Sequence, residues 1–169
     1  MLTSAQCIKN SMPRNKSCVL ILDNLRSVEN TGSVFRTAEG LGVSKIILVG
    51  TTPTPLDRFG RKRGDFAKVS LGAEDLVEWE YVKTIKPALE DLRDQGFKII
   101  SLEQTEESEK LGRREEKQIA LIVGNEVEGV SPEALEMSDE ILEIPMQGEK
   151  ESLNVSVSTG IALYALMLE

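Results

Sequence analysis

The sequence predicts an α/β fold in which a mostly parallel β-sheet is flanked by helices, and two observations support this prediction. Short apolar runs rich in Val, Ile and Leu alternate along the chain with segments of helical periodicity, as in successive strand–helix–strand units. Several runs are apolar at consecutive positions, as expected for strands covered on both faces. A length of 169 residues fits one domain with a substantial core, so we expect residues 1–169 to form a single domain.

Five apolar runs are predicted to be strands because they are short and rich in β-branched residues. They are residues 18–23, 45–50, 97–102, 118–124 and 140–145. Four intervening segments are predicted to be helices, namely residues 32–42, 82–95, 131–137 and 154–168. Ser131 and Pro132 form a good helix start, with serine as the N-cap and proline at the first helical position.

Two segments lack a regular pattern. Residues 51–68 contain two prolines and two glycines and are predicted to be a long loop. Residues 103–117 are rich in glutamate and are predicted to be a solvated loop or a short helix. Long loops in compact domains often carry function, although a solvated connection is the simpler interpretation of the acidic segment.

The composition excludes several classes of enzyme. The chain contains no histidine, which excludes a Ser-His-Asp triad, a Cys-His dyad, a histidine-ligated zinc site and an imidazole base. Its 20 basic and 28 acidic side chains give a net charge of −8, which by itself argues against nucleic-acid binding. The charge is unevenly distributed, since residues 1–73 carry net +6 and residues 74–169 carry net −14. A basic face can therefore exist on an acidic protein.

The cysteines and the hydropathy pattern predict a cytoplasmic protein. Cys7 and Cys18 form neither a disulfide framework nor a C-x-x-C pair, so we expect reduced thiols. No stretch is long and apolar enough to span a bilayer, and the first ten residues lack the order of a signal peptide.

Standard nucleotide-binding motifs are absent from the sequence. It contains neither G-x-x-x-x-G-K-[ST] nor G-x-G-x-x-G after the first predicted strand, so a P-loop or an ordinary dinucleotide site is not expected. Gly40 and Gly42 lie at the end of a predicted helix and are interpreted as part of a C-cap.

Three other segments carry the candidate chemistry, and the first is E-N-T-G-S-V-F-R-T-A-E-G-L-G-V at residues 29–43. Asn30 or Thr31 is predicted to cap the following helix, and Gly32 permits close approach of another backbone. Arg36 then lies in the first turns of that helix. It either forms a structural ion pair with a carboxylate or faces a cleft.

The second segment is L-I-V-G-N-E-V-E-G-V-S-P at residues 121–132. A strand there runs into G-N-E, and ligands of open α/β sheets bind at the carboxyl ends of strands. Glu126 is expected at that rim, although a tight turn with a solvated glutamate explains the same residues.

The third segment is I-P-M-Q-G-E-K-E-S-L-N-V-S-V-S-T-G-I-A-L-Y-A-L at residues 144–166. A strand ends at Pro145, and Ser152-Leu153-Asn154 opens the C-terminal helix. Helix capping alone would explain Ser152 or Asn154. The helix is apolar over much of its surface, so it must be buried against another surface, such as a second subunit.

Together these segments resemble the SpoU (TrmH-like) family of RNA ribose 2′-O-methyltransferases in the SPOUT class. The resemblance runs from about Val19 to Leu166 and includes S-L-G-A at residues 70–73. It implies a SPOUT fold with a C-terminal deep trefoil knot, and S-adenosyl-L-methionine as the cofactor. It also implies tRNA or rRNA as the substrate, and a homodimer with the C-terminal helix at its interface. No metal and no membrane are implied.

The same resemblance assigns site residues. The implied cofactor contacts are Leu102, Gly124, Ile144, Met146 and Leu153. The implied catalytic residues are Arg36, Asn30, Glu126, Ser152 and Asn154. The arginine is expected to act on the ribose hydroxyl, either as a base or as an electrostatic stabiliser of the developing alkoxide. We expect Glu126 and Asn30 to hold this arginine, and Ser152 and Asn154 to shape the cofactor–ribose site.

A basic segment at residues 58–68 is the candidate RNA contact. It carries five basic side chains against one acidic side chain, and the five are Arg58, Arg61, Lys62, Arg63 and Lys68. With Arg14, Lys16 and Arg26 they are candidate phosphate contacts, although a flexible solvated loop is the simpler interpretation. The chain has only seven aromatic residues and no evident base-stacking platform, so phosphate contacts are expected to position the RNA.

Two alternatives remain open at this point. The chain can be a non-enzymatic module that binds RNA or S-adenosylmethionine on the same scaffold. It can also be an unrelated flavodoxin-like binding domain, if the match of all three segments arises by chance.

Overall fold

A seven-stranded sheet in which every neighbouring pair of strands is parallel forms the centre of the protein. The computed structural model describes residues 16–167. The strands are β1 (Ser17–Asp23), β2 (Lys45–Val49), β3 (Glu78–Val82), β4 (Lys98–Leu102), β5 (Glu109–Lys110), β6 (Gln118–Val123) and β7 (Glu140–Glu143). Their spatial order is β3-β2-β1-β6-β4-β7-β5. Strand β6 therefore lies beside β1, and β4 beside β7, although the strands of each pair are distant in sequence.

Helices cover both faces of this sheet. They are α1 (Val28–Leu41), α2 (Gly64–Ser70), α3 (Lys86–Asp94), α4 (Pro132–Glu136) and α5 (Val155–Met167), with a 3₁₀ turn at Ala73–Asp75. One apolar cluster joins the sheet to α1, α2 and α5, and a second joins the opposite face to α3 and α4. The predicted α/β fold with a parallel sheet is therefore confirmed.

The central strands are buried on both faces, as their apolar runs predicted. Leu20 of β1 pairs in register with Ile46 of β2 and Leu121 of β6, and all three side chains are fully buried. Cys18 of β1 is also fully buried as a free thiol, and this burial raises its pKa to about 12. Cys7 lies outside the described residues.

Three elements, β3, α2 and β5, were missed by the sequence patterns. Strand β3 has the sequence E-W-E-Y-V and lies at the sheet edge, where glutamates can remain in solvent and Lys45 pairs with Glu80 at 3.1 Å. The helix predicted from residue 82 therefore begins only at Lys86. Residues 64–70 of the predicted loop form α2. The Glu-rich segment contains the two-residue strand β5 and no helix.

The N-terminus of α1 corrects the predicted cap. Ser27 is the N-cap, and its hydroxyl accepts a hydrogen bond from the backbone N–H of Asn30 at 3.0 Å. The prediction that Asn30 or Thr31 caps this helix is wrong, because both lie inside its first turn. The close approach predicted at Gly32 is confirmed, since a Cβ there would lie 2.9 Å from Cβ of Val69 in α2.

Two other predicted caps stand at their expected positions. Gly42 ends α1 in the left-handed conformation with φ of 76°, as expected for a C-cap glycine. Ser131 and Pro132 begin α4. The Ser131 hydroxyl is buried without a hydrogen-bond partner among the described residues, so it supplies no capping bond.

Candidate active site

A cavity of about 540 Å³ opens at the carboxyl ends of β4, β6 and β7, where parallel sheets place their ligand sites. All five predicted cofactor residues line it, namely Leu102, Gly124, Ile144, Met146 and Leu153. Four of the five predicted catalytic residues also line it, namely Asn30, Glu126, Ser152 and Asn154. The fold therefore brings nine positions from distant parts of the chain to one surface.

The wall of the cavity after β6 is a tight turn that requires glycine. A Cβ on Gly124 would lie 2.1 Å from the carbonyl carbon of Gly129 and from the backbone nitrogen of Val130, so no other residue fits without movement. Asn125 and Gly129 exchange two backbone hydrogen bonds of 2.9 and 3.0 Å. The Asn125 side-chain oxygen also accepts bonds from the N–H groups of Val127 and Glu128.

Glu103 is a residue of this cavity that sequence reasoning missed. Its carboxylate accepts hydrogen bonds from the backbone N–H of Val130 at 2.8 Å and of Gln104 at 2.9 Å. It thereby ties the loop after β4 to the loop after β6. The signal that could have found it is its place directly after a buried strand, which the Glu-rich composition of residues 103–117 obscured.

The lining of the cavity is acidic and apolar. Three glutamates, Glu103, Glu126 and Glu143, contribute to it, and no lysine or arginine does so among the described residues. Its apolar part includes Leu102 and Met146. Such a surface suits a ligand with an apolar body and positive charge, and it disfavours a phosphate group.

A chain of hydrogen bonds joins the three sequence segments at the cavity. The Asn30 amide donates to the Glu126 carboxylate at 3.0 Å, and the Asn154 amide donates to the Asn30 side-chain oxygen at 3.0 Å. Glu126 also accepts from the backbone N–H groups of Arg26 and Ser27 at 3.0 and 3.1 Å. Partial burial of Glu126 opposes ionisation, but these hydrogen bonds outweigh it and lower the pKa of its carboxyl.

Asn154 also begins α5. Its side-chain oxygen accepts hydrogen bonds from the N–H of Ser156 at 2.9 Å and from its hydroxyl at 2.6 Å. The capping interpretation therefore holds for Asn154, which uses its oxygen for the helix and its amide for Asn30. Ser152 is exposed at the cavity.

Arg36 lies apart from the cavity of its own chain. It is exposed on α1, and no carboxylate within residues 16–167 forms an ion pair with it. Within residues 16–167, neither Glu126 nor Asn30 forms a hydrogen bond with Arg36, so the expectation that they hold this arginine is not met within one chain. Arg36 is six residues beyond Asn30 in the helix, which rotates its side chain by about 240° away from that face.

The candidate RNA segment carries less free positive charge than its sequence predicted. Nearby carboxylates pair with three of the five cations: Arg61 with Asp57 at 2.8 Å, Lys62 with Asp75 at 2.5 Å and Arg63 with Asp65 at 2.6 Å. Exposed pairs of this kind contribute little stability. Arg58 and Lys68 have no carboxylate partner within residues 16–167.

The three additional basic candidates are also distributed differently from the prediction. Lys16 donates to the backbone carbonyl oxygens of Leu166, at 2.9 Å, and Arg114. Arg26 pairs with Glu128 at 2.8 Å. Arg14 lies outside the described residues.

Helix α5 has one buried and one exposed apolar face. Ala162, Leu163 and Leu166 pack into the core beside α1. The other face carries an exposed stripe that we call the α5 stripe, formed by Val157, Ile161 and Tyr164. Within residues 16–167, none of the helices has the length and apolar character that crossing a membrane requires. The same residues contain no cluster of three or more potential metal ligands.

Comparison with known proteins identifies the family. A family model described as the SpoU rRNA Methylase family matches residues 17–164. A tRNA (guanosine(18)-2'-O)-methyltransferase of Aquifex aeolicus (strain VF5) is 31% identical over 156 residues, which cover 89% of this chain and 69% of that protein. The 23S rRNA (guanosine-2'-O-)-methyltransferase RlmB of Xanthomonas axonopodis pv. citri is 32% identical over 149 residues, covering 88% of this chain and 57% of that protein.

A solved structure agrees with these matches. The A. aeolicus TrmH/SpoU tRNA modifying enzyme superposes with a TM-score of 0.75 and 32% identity, covering 90% of this chain and 74% of that one. This chain spans between 57% and 69% of the length of the two curated relatives above. The family match, the sequence identity and the shared fold confirm the predicted resemblance, and the chain belongs to the SpoU rRNA Methylase family.

Proposed function

We propose that this protein transfers a methyl group from S-adenosylmethionine to a ribose 2′-hydroxyl in RNA. The observation that carries this proposal is the hydrogen-bonded chain of Asn30, Glu126 and Asn154 at one cavity. Relatives named for guanosine 2′-O-methylation of tRNA and of 23S rRNA support the reaction class. The substrate class is accordingly tRNA or rRNA.

The residues of the cavity fit S-adenosylmethionine. Its volume of about 540 Å³ is within the usual range of small-molecule sites. The apolar side chains of Leu102, Ile144 and Met146 offer a surface for the adenine ring, and Gly124 permits the tight turn that forms the adjoining wall. The carboxylates suit a ligand that carries a sulfonium and an ammonium group. When bound, this cofactor supplies an electrophilic methyl group.

The chain must also activate a weak nucleophile. A ribose hydroxyl reacts poorly until its proton leaves or its developing charge is stabilised. We assign this role to Arg36 as an electrostatic stabiliser, because a guanidinium stays protonated in proteins. Glu126, Asn30, Ser152 and Asn154 would orient the ribose at the cavity mouth.

Arg36 requires a second copy of the chain in this proposal. It is exposed on α1, and its neighbour Thr37 lies beside Gly160 of α5, with 3.4 Å between Cγ2 of Thr37 and a Cβ placed on Gly160. The α5 stripe is exposed next to it. A homodimer through that stripe would cover the apolar face and bring Arg36 of one protomer toward the cavity of its partner.

The remaining features are proposed on the same basis. Arg58 and Lys68 would contact phosphates directly, and the exposed pairs of Arg61, Lys62 and Arg63 would exchange their carboxylates for phosphates. One continuous sheet across the described residues supports a single SPOUT domain, in which family membership implies the C-terminal knot. The reduced, buried Cys18 and the RNA substrates of the relatives support a cytoplasmic location.

Methyl transfer to RNA tests the proposal. The purified protein is incubated with total RNA and S-adenosylmethionine carrying a labelled methyl group, and incorporation into RNA is counted. We expect the wild-type protein to incorporate labelled methyl groups into RNA, and the Glu126→Gln variant to incorporate far fewer. Binding of the cofactor without incorporation into any RNA fraction would instead support the non-enzymatic module.

A further inference from the structure

An exposed aromatic ring stands at the tip of the loop between β2 and α2. Phe59 is 65% exposed, although burial of such a ring is ordinarily favourable. The guanidinium carbons of Arg58 and Arg61 lie 4.7 and 5.0 Å from its ring centroid. The sequence had predicted phosphate contacts in this loop and no stacking platform.

The loop holds this ring in a defined position. Leu56 and Lys62 form an antiparallel bridge at its base. One oxygen of Asp57 accepts hydrogen bonds from the N–H groups of Phe59 at 2.8 Å and Arg61 at 3.0 Å. Gly60 donates its N–H to the carbonyl of Asp57 at 2.9 Å. The tip is thus ordered by its own hydrogen bonds, which lowers the entropic cost of using it as a binding surface.

The two arginines around the ring differ in how their side chains are held by carboxylates. Arg61 is held by Asp57 through its Nε at 2.9 Å and its terminal nitrogen at 2.8 Å. Arg58 has no carboxylate partner within residues 16–167. A flat ligand that stacks on Phe59 can therefore displace Arg58 and leave Arg61 in place. The displaced guanidinium would then be available for a negative charge beside that ligand.

The loop that carries this ring leaves the sheet at the edge where the cavity opens. The loop follows the carboxyl end of β2, and the cavity lies at the carboxyl ends of β6, β4 and β7. Strand β1 alone separates β2 from β6, which places these strand ends about 10 Å apart. An RNA strand that binds this loop can therefore continue across the sheet edge toward the cavity.

We propose that Phe59 and Arg58 form a stacking site for an unpaired nucleobase of the RNA, with Phe59 receiving the base and Arg58 the adjacent phosphate. This inference rests on the proposed function for the nature of the ligand. Every base has a flat π-face, so aromatic stacking of this kind is tolerant of sequence. The free cation beside the ring provides the complementary charge.

Binding of two labelled oligomers tests the stacking site. Single-stranded oligouridine carries bases and phosphates, whereas an oligomer of equal length made of abasic ribose phosphates carries phosphates only. We expect the wild-type protein to prefer oligouridine, and Phe59→Ala to lose about 5- to 100-fold in affinity for it with no change for the abasic oligomer. Phe59→Tyr should retain the preference, and Leu76→Ala removes an equally exposed apolar side chain as the matched control.

Salt dependence separates the two roles. Phe59→Ala should leave the slope of log affinity against log salt unchanged, whereas Arg58→Gln should reduce its magnitude by about 0.7. Unchanged oligouridine affinity in Phe59→Ala would overturn the inference, as would an equal loss for both oligomers. A Phe59→Ala protein that binds RNA normally but sediments as a smaller species would assign the ring to a protein contact instead.

Methyl transfer by the same preparations separates this inference from the proposed function. If the wild type shows base-dependent binding through Phe59 but no methyl transfer, the proposed activity fails and the stacking site stands. If methyl transfer proceeds but base preference does not depend on Phe59, the stacking site alone fails.

Discussion

The amide of Asn30 donates a 3.0 Å hydrogen bond to the carboxylate of Glu126 and so joins helix α1 to the loop after β6. The sequence pattern offered Asn30 or Thr31 as the helix cap, a role that Ser27 fills, whereas the family resemblance placed Asn30 in the active site. Because Ser27 caps the helix, the side chain of Asn30 is available to link Glu126 to Asn154. Asn30 and Glu126 thereby both contribute to the cavity lining.

Replacing Glu126 tests this link. In the Glu126→Gln variant, an amide nitrogen faces N–H donors that bind a carboxylate oxygen in the wild type. We therefore expect kcat for methyl transfer to fall about 10- to 100-fold. Glu128→Gln is the matched control, because Glu128 pairs with Arg26 on the exposed surface. Steady-state kinetics with RNA measures both variants. Equal rates for the two variants would show that Glu126 does not contribute to the site.

Glu126 also gives stability a pH dependence. Hydrogen bonds lower its pKa in the folded state, so its contribution is present above the ordinary value of 4.5 and is lost as pH falls through the lowered value. The free energy of unfolding of wild type minus that of Glu126→Gln should therefore shrink between pH 5 and pH 3. Urea titration across that range measures it, and a difference that grows with acidity would contradict the assignment.

Gly124 is expected to be essential for the cavity. Its added Cβ would lie 2.1 Å from backbone atoms of Gly129 and Val130, so Gly124→Ala must displace the turn. We expect more than tenfold weaker S-adenosylmethionine binding by calorimetry, with a lower Tm. In Gly148→Ala the new methyl group meets no atom within 4 Å, so this control should bind as the wild type does. Unimpaired binding by Gly124→Ala would show that the turn does not form the cofactor wall.

A mixed dimer tests the shared site. Arg36→Ala and Asn154→Ala proteins are expressed together with different tags, and the mixed dimer is purified. If Arg36 serves the partner's cavity, one of its two sites is intact, and the mixed dimer should recover about half of the wild-type rate while each parent is nearly inactive. A mixed dimer as inactive as its parents would place the action of Arg36 within its own chain.

The sequence predicted the cavity better than its internal connections. The family resemblance named Leu102, Gly124 and Ile144 as cofactor contacts, and all three line the cavity at the strand ends. The bond between Glu103 and Val130 joins residues 27 positions apart, and no local pattern reports such a contact. Strand β3 lacks the continuous apolar run by which the other strands were predicted: its glutamates alternate with Trp79 and Tyr81, a pattern that fits a half-buried strand at the sheet edge.

The same limit applies to charge. Residues 58–68 contain five cations and one acid, but Asp57 and Asp75 lie just outside that window and pair with Arg61 and Lys62. The exposed Phe59 was likewise not predicted as a binding residue, because the sequence of its loop has neither helical nor strand periodicity. The folded loop determines which side chains pair across a turn, and counts of charged residues in a sequence window do not reveal these pairs.

Burial of Cys18 gives a further test. Its pKa is raised to about 12 from an ordinary 9.0, so the stability that this neutral thiol contributes is present below pH 9 and is lost as pH rises toward 12. In a Cys7→Ser background, a thiol reagent at pH 8 should modify Cys18 only after unfolding in urea. Rapid modification of the native protein would contradict the buried position of this strand.

The most direct measurement is nucleoside analysis of RNA methylated by the purified protein with labelled S-adenosylmethionine. The account predicts that the label is recovered in a 2′-O-methylated nucleoside, and that Glu126→Gln greatly reduces its amount. Recovery of the label in a methylated base, or in no nucleoside while the protein binds the cofactor, would contradict the proposed ribose methylation.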